Sequence, residues 1–159
     1  MSYIRLANFF DLYDVRRDGS LSFEARYSNA EPGRALSYNG TSYPYLSFIY
    51  QGAAKNRTGD NLQAAILLST NKISTNLARK AVNQRWHVEI YSAVLSPNGS
   101  VSRVLTIENW MVASMSYDPE AVEVVLSSGI DAVGANAPTR TLTRAVVGAL
   151  PVTGNIRAQ

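Results

Sequence analysis

The strongest constraint in this sequence is a period-two alternation that runs into a turn and resumes beyond it. Residues 86–94 read Trp-His-Val-Glu-Ile-Tyr-Ser-Ala-Val. Trp86, Val88, Ile90 and Val94 fall on one face, and His87, Glu89 and Tyr91 on the other. That spacing belongs to a strand with one buried side, because successive side chains of a strand point to opposite faces. Ser96-Pro97-Asn98-Gly99 then supplies turn chemistry, since proline fixes one φ angle and Asn-Gly accepts positive φ. Residues 101–107 resume the strand, so 86–107 is predicted as a hairpin. A chain whose longest regular pattern is a hairpin is committed to sheets, and its other segments have to be consistent with that.

They are. Residues 35–38 and 41–43 flank Asn39-Gly40, a strong short hairpin signal because a type I′ turn needs positive φ at both central positions. Residues 45–50 continue as an aromatic, β-prone run, and 62–68 and 110–117 are further strand candidates. Asp118-Pro119 makes a turn before the valine-rich residues 121–126, and the first 27 residues hold two strands around Asp18-Gly19. One segment breaks the pattern. Residues 73–82 carry Ile73, Leu77 and Ala81 at helical spacing with Ser74 as the N-cap, which predicts one short helix inserted on an edge. From residue 135 onward Pro138, Gly148, Pro151 and Gly154 read as an extended arm. The expected fold is therefore mainly β, an antiparallel sandwich or barrel with one short helix. A β domain fills residues 1–134, and an arm fills 135–159.

Charged residues make up 17 % of the chain, against about 25 % for an average soluble domain. A surface short of charge suits a subunit that is covered in an assembly, and ordinary scatter between domains gives the same value. The net charge is +3 and the arginines and lysines are dispersed, whereas nucleic-acid recognition needs a basic face or run. No specific nucleic-acid binding is expected. There is no cysteine, which removes disulfides, thiolate metal sites and a cysteine nucleophile together. Neither a signal peptide nor an apolar stretch of the ~20 residues needed to span a bilayer is read, so no membrane role is expected.

The search for chemistry returns little. His87 is the single histidine and sits mid-strand, with no spacing that brings it a nucleophile or a second metal ligand. Asp11, Asp14 and Asp18 suggest an acidic loop, but Arg16 and Arg17 occupy its middle, where they repel a cation. Glu108 and Glu120 meet only if the fold happens to bring them together. Residues 57–61, Arg-Thr-Gly-Asp-Asn, lack the lysine and glycine spacing of a phosphate loop. Neither an enzyme nor a cofactor is expected. Among nine tyrosines, Tyr38, Tyr43, Tyr45 and Tyr50 crowd into thirteen residues. Tyrosine is enriched at interfaces, and it is equally at home in a half-buried sheet.

Four stretches in fixed order then carry a resemblance. They are the hairpin at 36–45, Leu-Ser-Tyr-Asn-Gly-Thr-Ser-Tyr-Pro-Tyr; Gly59-Asp60-Asn61-Leu62 with the strand 65–71; residues 86–95 with the turn and strand beyond; and residues 122–131, Val-Glu-Val-Val-Leu-Ser-Ser-Gly-Ile-Asp, closed by Pro138-Thr139-Arg140. Together they span most of residues 20–142. This series resembles the N-terminal hub domain of lambda-type minor tail protein L, from phages with long flexible tails. The resemblance implies a tail tube/hub type of β domain and a structural role at the hub, tip or baseplate ring of a bacteriophage tail. It implies a three- or six-fold ring of copies with tube, hub and tip proteins as partners. It also implies a place in the virion tail after assembly in the host cytoplasm. The lambda-type protein continues into a cysteine-bearing iron–sulfur domain; this chain has no cysteine, so no metal cluster is carried over. The alternative is a phage-borne glycan or host-receptor binding module. Interface residues expected on this reading are Tyr38, Tyr43, Tyr45, Tyr50, Arg140, Leu150, Pro151 and Ile156. Deleting residues 142–159 is expected to weaken assembly into particles while leaving the far-ultraviolet circular dichroism and melting temperature unchanged; undiminished assembly refutes the arm.

Overall fold

The computed structural model describes residues 4–52 and 63–128. In chain order they form β1 (Arg5–Val15), β2 (Leu21–Ser28), β3 (Leu36–Tyr38), β4 (Thr41–Tyr43), β5 (Phe48–Gln51), β6 (Gln63–Ser69), α1 (Lys72–Gln84), β7 (His87–Leu95), β8 (Val101–Tyr117) and β9 (Ala121–Ser127). Seven strands make one antiparallel sheet in the order β2-β1-β7-β8-β9-β6-β5, and β3 pairs with β4 apart from it. The mainly β, antiparallel expectation holds. The domain boundary at residue 134 and the arm lie outside the described residues.

The sheet is curled, and side-chain contacts show how far. From β1 to β5 there are five inter-strand steps, about 24 Å across a flat sheet. Yet the rings of Phe10 on β1 and Phe48 on β5 have centroids 4.9 Å apart. Backbone bonds join the same two flanks: Ser28 N–H donates to Pro44 O at 2.9 Å, and Leu46 N–H donates to Ser28 O at 2.9 Å. The sheet therefore closes on itself, barrel-like, around Phe10, Leu12, Phe48, Ile66, Leu68, Val88, Ile90, Val112, Val124 and Leu126.

The helix fills the interior and is not an insertion on an edge. It follows β6 directly and presents Ala78 and Ala81 to the concave face. Small residues let its backbone approach, and the gap left among them is only about 20 Å³. Of the expected helical stripe, Ala81 is buried and Leu77 packs against the core, while Ile73 is 61 % exposed and Ser74 and Ala78 complete the buried face. The N-cap is Asn71, not Ser74. Asn71 Oδ1 accepts from Ser74 N–H at 2.8 Å, and Ser74 Oγ accepts from Asn71 N–H at 3.0 Å, a reciprocal capping box. Arg85 ends the helix at φ 51°, and its N–H donates to the last helical turn.

Two turns repeat one design. Residues 16–20 and 96–100 each close with a glycine at positive φ (Gly19 at 82°, Gly99 at 83°) and with Asp18 or Asn98 Oδ1 accepting from the N–H and Oγ of the serine two residues on. The hairpin at 36–43 turns through Asn39 at φ 48° and Gly40 at φ 74°, as a type I′ turn requires.

Where one barrel wall was expected, there are two covered faces. Ala7, Phe9, Ala93 and Leu95 lie on the convex side, beneath Leu36 and Tyr43 of the β3–β4 hairpin. This explains the run of buried residues from Phe9 to Leu12, which no single-faced strand shows. The face assignment expected for β7 holds, but the degree of burial on each face differs from it. Val94 does share a face with Val88 and Ile90, but α1 does not reach it, so it is only half-buried; Tyr91, expected on the open face, is half-covered by the hairpin. The two strands expected at 101–107 and 110–117 are one, bent by register shifts opposite Ser92/Ala93 and near Val112/Ser114. Replacing Asn71 with alanine is expected to cost about 1 kcal/mol of stability, read from urea unfolding.

Candidate interface surfaces

The tyrosines singled out from the sequence act first inside the fold. Tyr43 is buried, its ring edge-on to Phe9 at 4.8 Å and its hydroxyl donating to Asp11 Oδ2 at 3.1 Å. Half-buried Tyr38 packs on Phe9 at 5.3 Å and on Tyr91 at 6.1 Å. Tyr45, also half-buried, is the residue that bridges to Ser28 where the sheet closes. Tyr50 reaches across the barrel from β5 to β8, where its hydroxyl donates to Glu108 and accepts from Trp110 Nε1 at 3.1 Å. The four cluster in sequence, but they serve two faces of the sheet. Arg140, Leu150, Pro151 and Ile156 lie outside the described residues.

The convex face holds a polar group that the sequence reading grouped with an acidic loop and the structure buries in a strand. Asp11 sits mid-strand and is 5 % exposed. Arg26 Nε lies 3.3 Å from its Oδ1, too poorly aligned to count as a hydrogen bond. Glu89 stands directly opposite Asp11 on β7, and like charges in that position destabilise a sheet. Burial pushes the Asp11 carboxyl above its ordinary value and Glu89 adds to the rise, against the lowering effect of Tyr43 and Arg26. Burial likewise raises the hydroxyls of Tyr43, Tyr50 and Tyr91, each further by the carboxylate it bonds: Asp11, Glu108 and Glu89. These tyrosines are held as proton donors. The signal for this site is a lone aspartate within Phe-Phe-Asp-Leu, a charge where alternation breaks down.

The other chemistry-bearing residues do not converge. Asp11 lies on the convex face, Asp14 is set on β1 three residues on, and Asp18 is engaged by Ser20 in the turn. Glu120 falls in the turn before β9, whereas Glu108 is held by Tyr50. His87 Nε2 is 3.3 Å from Asn109 Oδ1, and its ring neighbours Tyr13 at 6.3 Å. No group of three or more potential metal ligands exists among the described residues. No helix among them is long and apolar enough to cross a membrane.

What the surface does show is apolar. Leu21 is 51 % exposed, Phe23 48 %, Ile49 64 % and Ile107 55 %. Single exposed apolar residues are ordinary, so their grouping decides their meaning. Val15 pairs with Leu21, and Tyr13 pairs with Phe23, so the first group forms one patch at the β1–β2 tip.

The fold, though not the sequence, is similar to that of a chain in a known particle. The chain matches a chain of the structure titled "Virion of native gene transfer agent (GTA) particle", with a TM-score of 0.54 and 14 % identity. The match covers 81 % of this chain and 42 % of that one, so the present chain spans less than half of its counterpart's length. No protein-family model matches, and no curated protein matches. The likeness is one of architecture: this chain shares its fold with part of a chain of that particle.

The Asp11 cluster has a pH signature. Its folded-state pKa lies above the ordinary carboxyl value of 3.8, so the folded chain holds this proton more firmly than the unfolded chain. The stability it contributes is complete below 3.8 and is lost as pH rises through the folded value. Asp11→Asn, which keeps an acceptor for Tyr43 and carries no charge, is expected to gain stability relative to the native chain as pH is raised from below 3.8 to neutral, by chemical denaturation at each pH. A difference independent of pH refutes the assignment.

Proposed function

We propose that this chain is a structural, non-enzymatic subunit of a phage-like tail, placed in a ring at the hub, tip or tube end. The observation that carries the reading is the fold likeness to a virion component across 81 % of the chain. Three further features support it. The barrel interior is filled by its own helix and aromatic residues, leaving a gap of about 20 Å³, so the concave side holds packing and not a ligand. Asp11 and Glu108 each accept from a tyrosine hydroxyl of another strand, and Glu89 accepts from Tyr91 within its own strand, so all three carboxylates are engaged inside the fold. Large apolar side chains remain uncovered at the β1–β2 tip and on β5. A filled body with apolar surface left over is suited to assembly. On this reading its partners are other copies in a closed ring, together with tail tube, hub and tip proteins, and its location is the virion tail. The hub-type resemblance of residues 20–142 gives the finer placement.

The test is copy number per purified particle, by quantitative mass spectrometry against the major capsid and tube proteins. A low count matching the tail's rotational symmetry is the expected result. Absence from particles refutes the structural role, and counts matching the tube protein move the subunit from the end ring into the tube. Specific binding on a glycan array overturns this reading in favour of a phage-borne host-recognition module.

A further inference from the structure

The two flanks of the sheet differ in chemistry in a way that fits one to the other. Beyond the last β1–β7 pair, Tyr13 with His87, strands β1 and β2 continue as a two-stranded ribbon closed by the turn at residues 16–20. Val15, Leu21 and Phe23 line one side of it. A two-stranded ribbon is marginally stable alone in water, and this one shows large apolar side chains to solvent. Arg16 and Arg17 lie at its tip, where the Asp18 carboxylate is already engaged by Ser20.

The opposite flank carries the complement. Pairing aligns Ile49 with Leu67 and Glu123, Ala65 with Val125, and Ser69 with Ala121 on the convex face of β5, β6 and β9. Two shallow clefts run along this strip, one bordered by Glu120 and the other by Glu123. Residues 47–51, 63–69 and 111–127 contain Asp118, Glu120 and Glu123 and no lysine or arginine.

We propose that the ribbon tip of one copy docks on the convex β5–β6–β9 strip of the next. Leu21 and Phe23 lie along the clefts, and Arg16 and Arg17 face Glu120 and Glu123. The inference rests on the ring reading and adds the surfaces to it. Donor and acceptor lie on different flanks of one sheet, so the contact is head-to-tail. Such contacts propagate by rotation and give rings where that rotation closes, as the ring reading requires, whereas a twofold dimer would use one surface twice. A second copy is the occupant because both halves sit on this chain, matched in polarity and opposite in charge.

The absence of cysteine makes introduced thiols specific reporters. Particles carrying the full-length Leu21→Cys/Ile49→Cys chain, treated with a short bis-maleimide, are expected to give cross-linked species beyond the dimer, and either single variant is expected to give none. No cross-link in the double variant, or a dimer from Leu21→Cys alone, overturns the proposal. A second variant set guards against loss of fold. Arg16→Glu/Arg17→Glu is expected to lower incorporation into particles roughly tenfold or more, because like charges then face each other. Adding Glu120→Arg/Glu123→Arg to the same chain is expected to restore it, and failure of that rescue overturns the charge pairing. A ring copy number without the cross-link removes this docking mode and leaves the ring; absence of the native chain from particles removes both.

Discussion

Everything in this fold depends on the sheet meeting itself. Phe10 and Phe48 come from strands five steps apart, and their 4.9 Å contact is possible only because the sheet curls until Ser28 bonds Pro44 and Leu46. Closure gives α1 an enclosed wall to pack on, and it turns six strands into one apolar lining. Without it, Val122, Val124 and Leu126 of β9 would face water on a flat sheet, and burying them is worth about 1.5–3 kcal/mol each. Closure also reduces the aggregation hazard of exposed strand edges, since part of one edge is bonded to the segment that leads into the other.

The convex side solves a different problem. Phe9, Ala93 and Leu95 are apolar on the outside of the barrel, and the β3–β4 hairpin covers them like a lid fixed by packing. Phe9 is the centre of that contact, with Tyr91 stacked on it at 4.8 Å and Tyr43 edge-on at the same distance. The bond from the Tyr43 hydroxyl to Asp11 beneath the hairpin is bought with a buried carboxylate that its neighbours only partly compensate. Arg26 stays close to Asp11 while its guanidinium lies over the Phe23 ring at 4.1 Å, so one side chain links the hairpin's anchor to the exposed ribbon.

Much of this was legible in the sequence, and the exceptions have physical reasons. Turn chemistry located Asn39-Gly40, Asn98-Gly99, Asp18-Gly19 and Asp118-Pro119, because positive φ and fixed φ restrict which residues fit. Alternation located β7, but it could not tell how much of each face is covered, so Val94 was expected to be buried and Tyr91 to be open. The helix was found, with Leu77 and Ala81 facing the core as expected, but its start was misplaced: Ser74 is both a good cap and, here, a buried reciprocal partner of the true cap Asn71, and only the fold chooses between the two. No glycine announces the helix end, since Arg85 takes the left-handed conformation itself. The tyrosine cluster was visible as composition. That its members face the convex cover, the closure and the barrel interior depends on parity and register, which a local sequence pattern does not contain.

The division of labour between interior and surface bears most on function. Asp11, Glu89 and Glu108 are each bonded to a tyrosine whose ring packs on, or reaches to, another strand or layer. The residues that leave large apolar area open to solvent are peripheral: Leu21 and Phe23 on the ribbon, and Ile49 on β5. A body filled inside and apolar at two separate flanks is what the proposed ring subunit calls for: on that reading, the exposed flank of each copy is covered by the next.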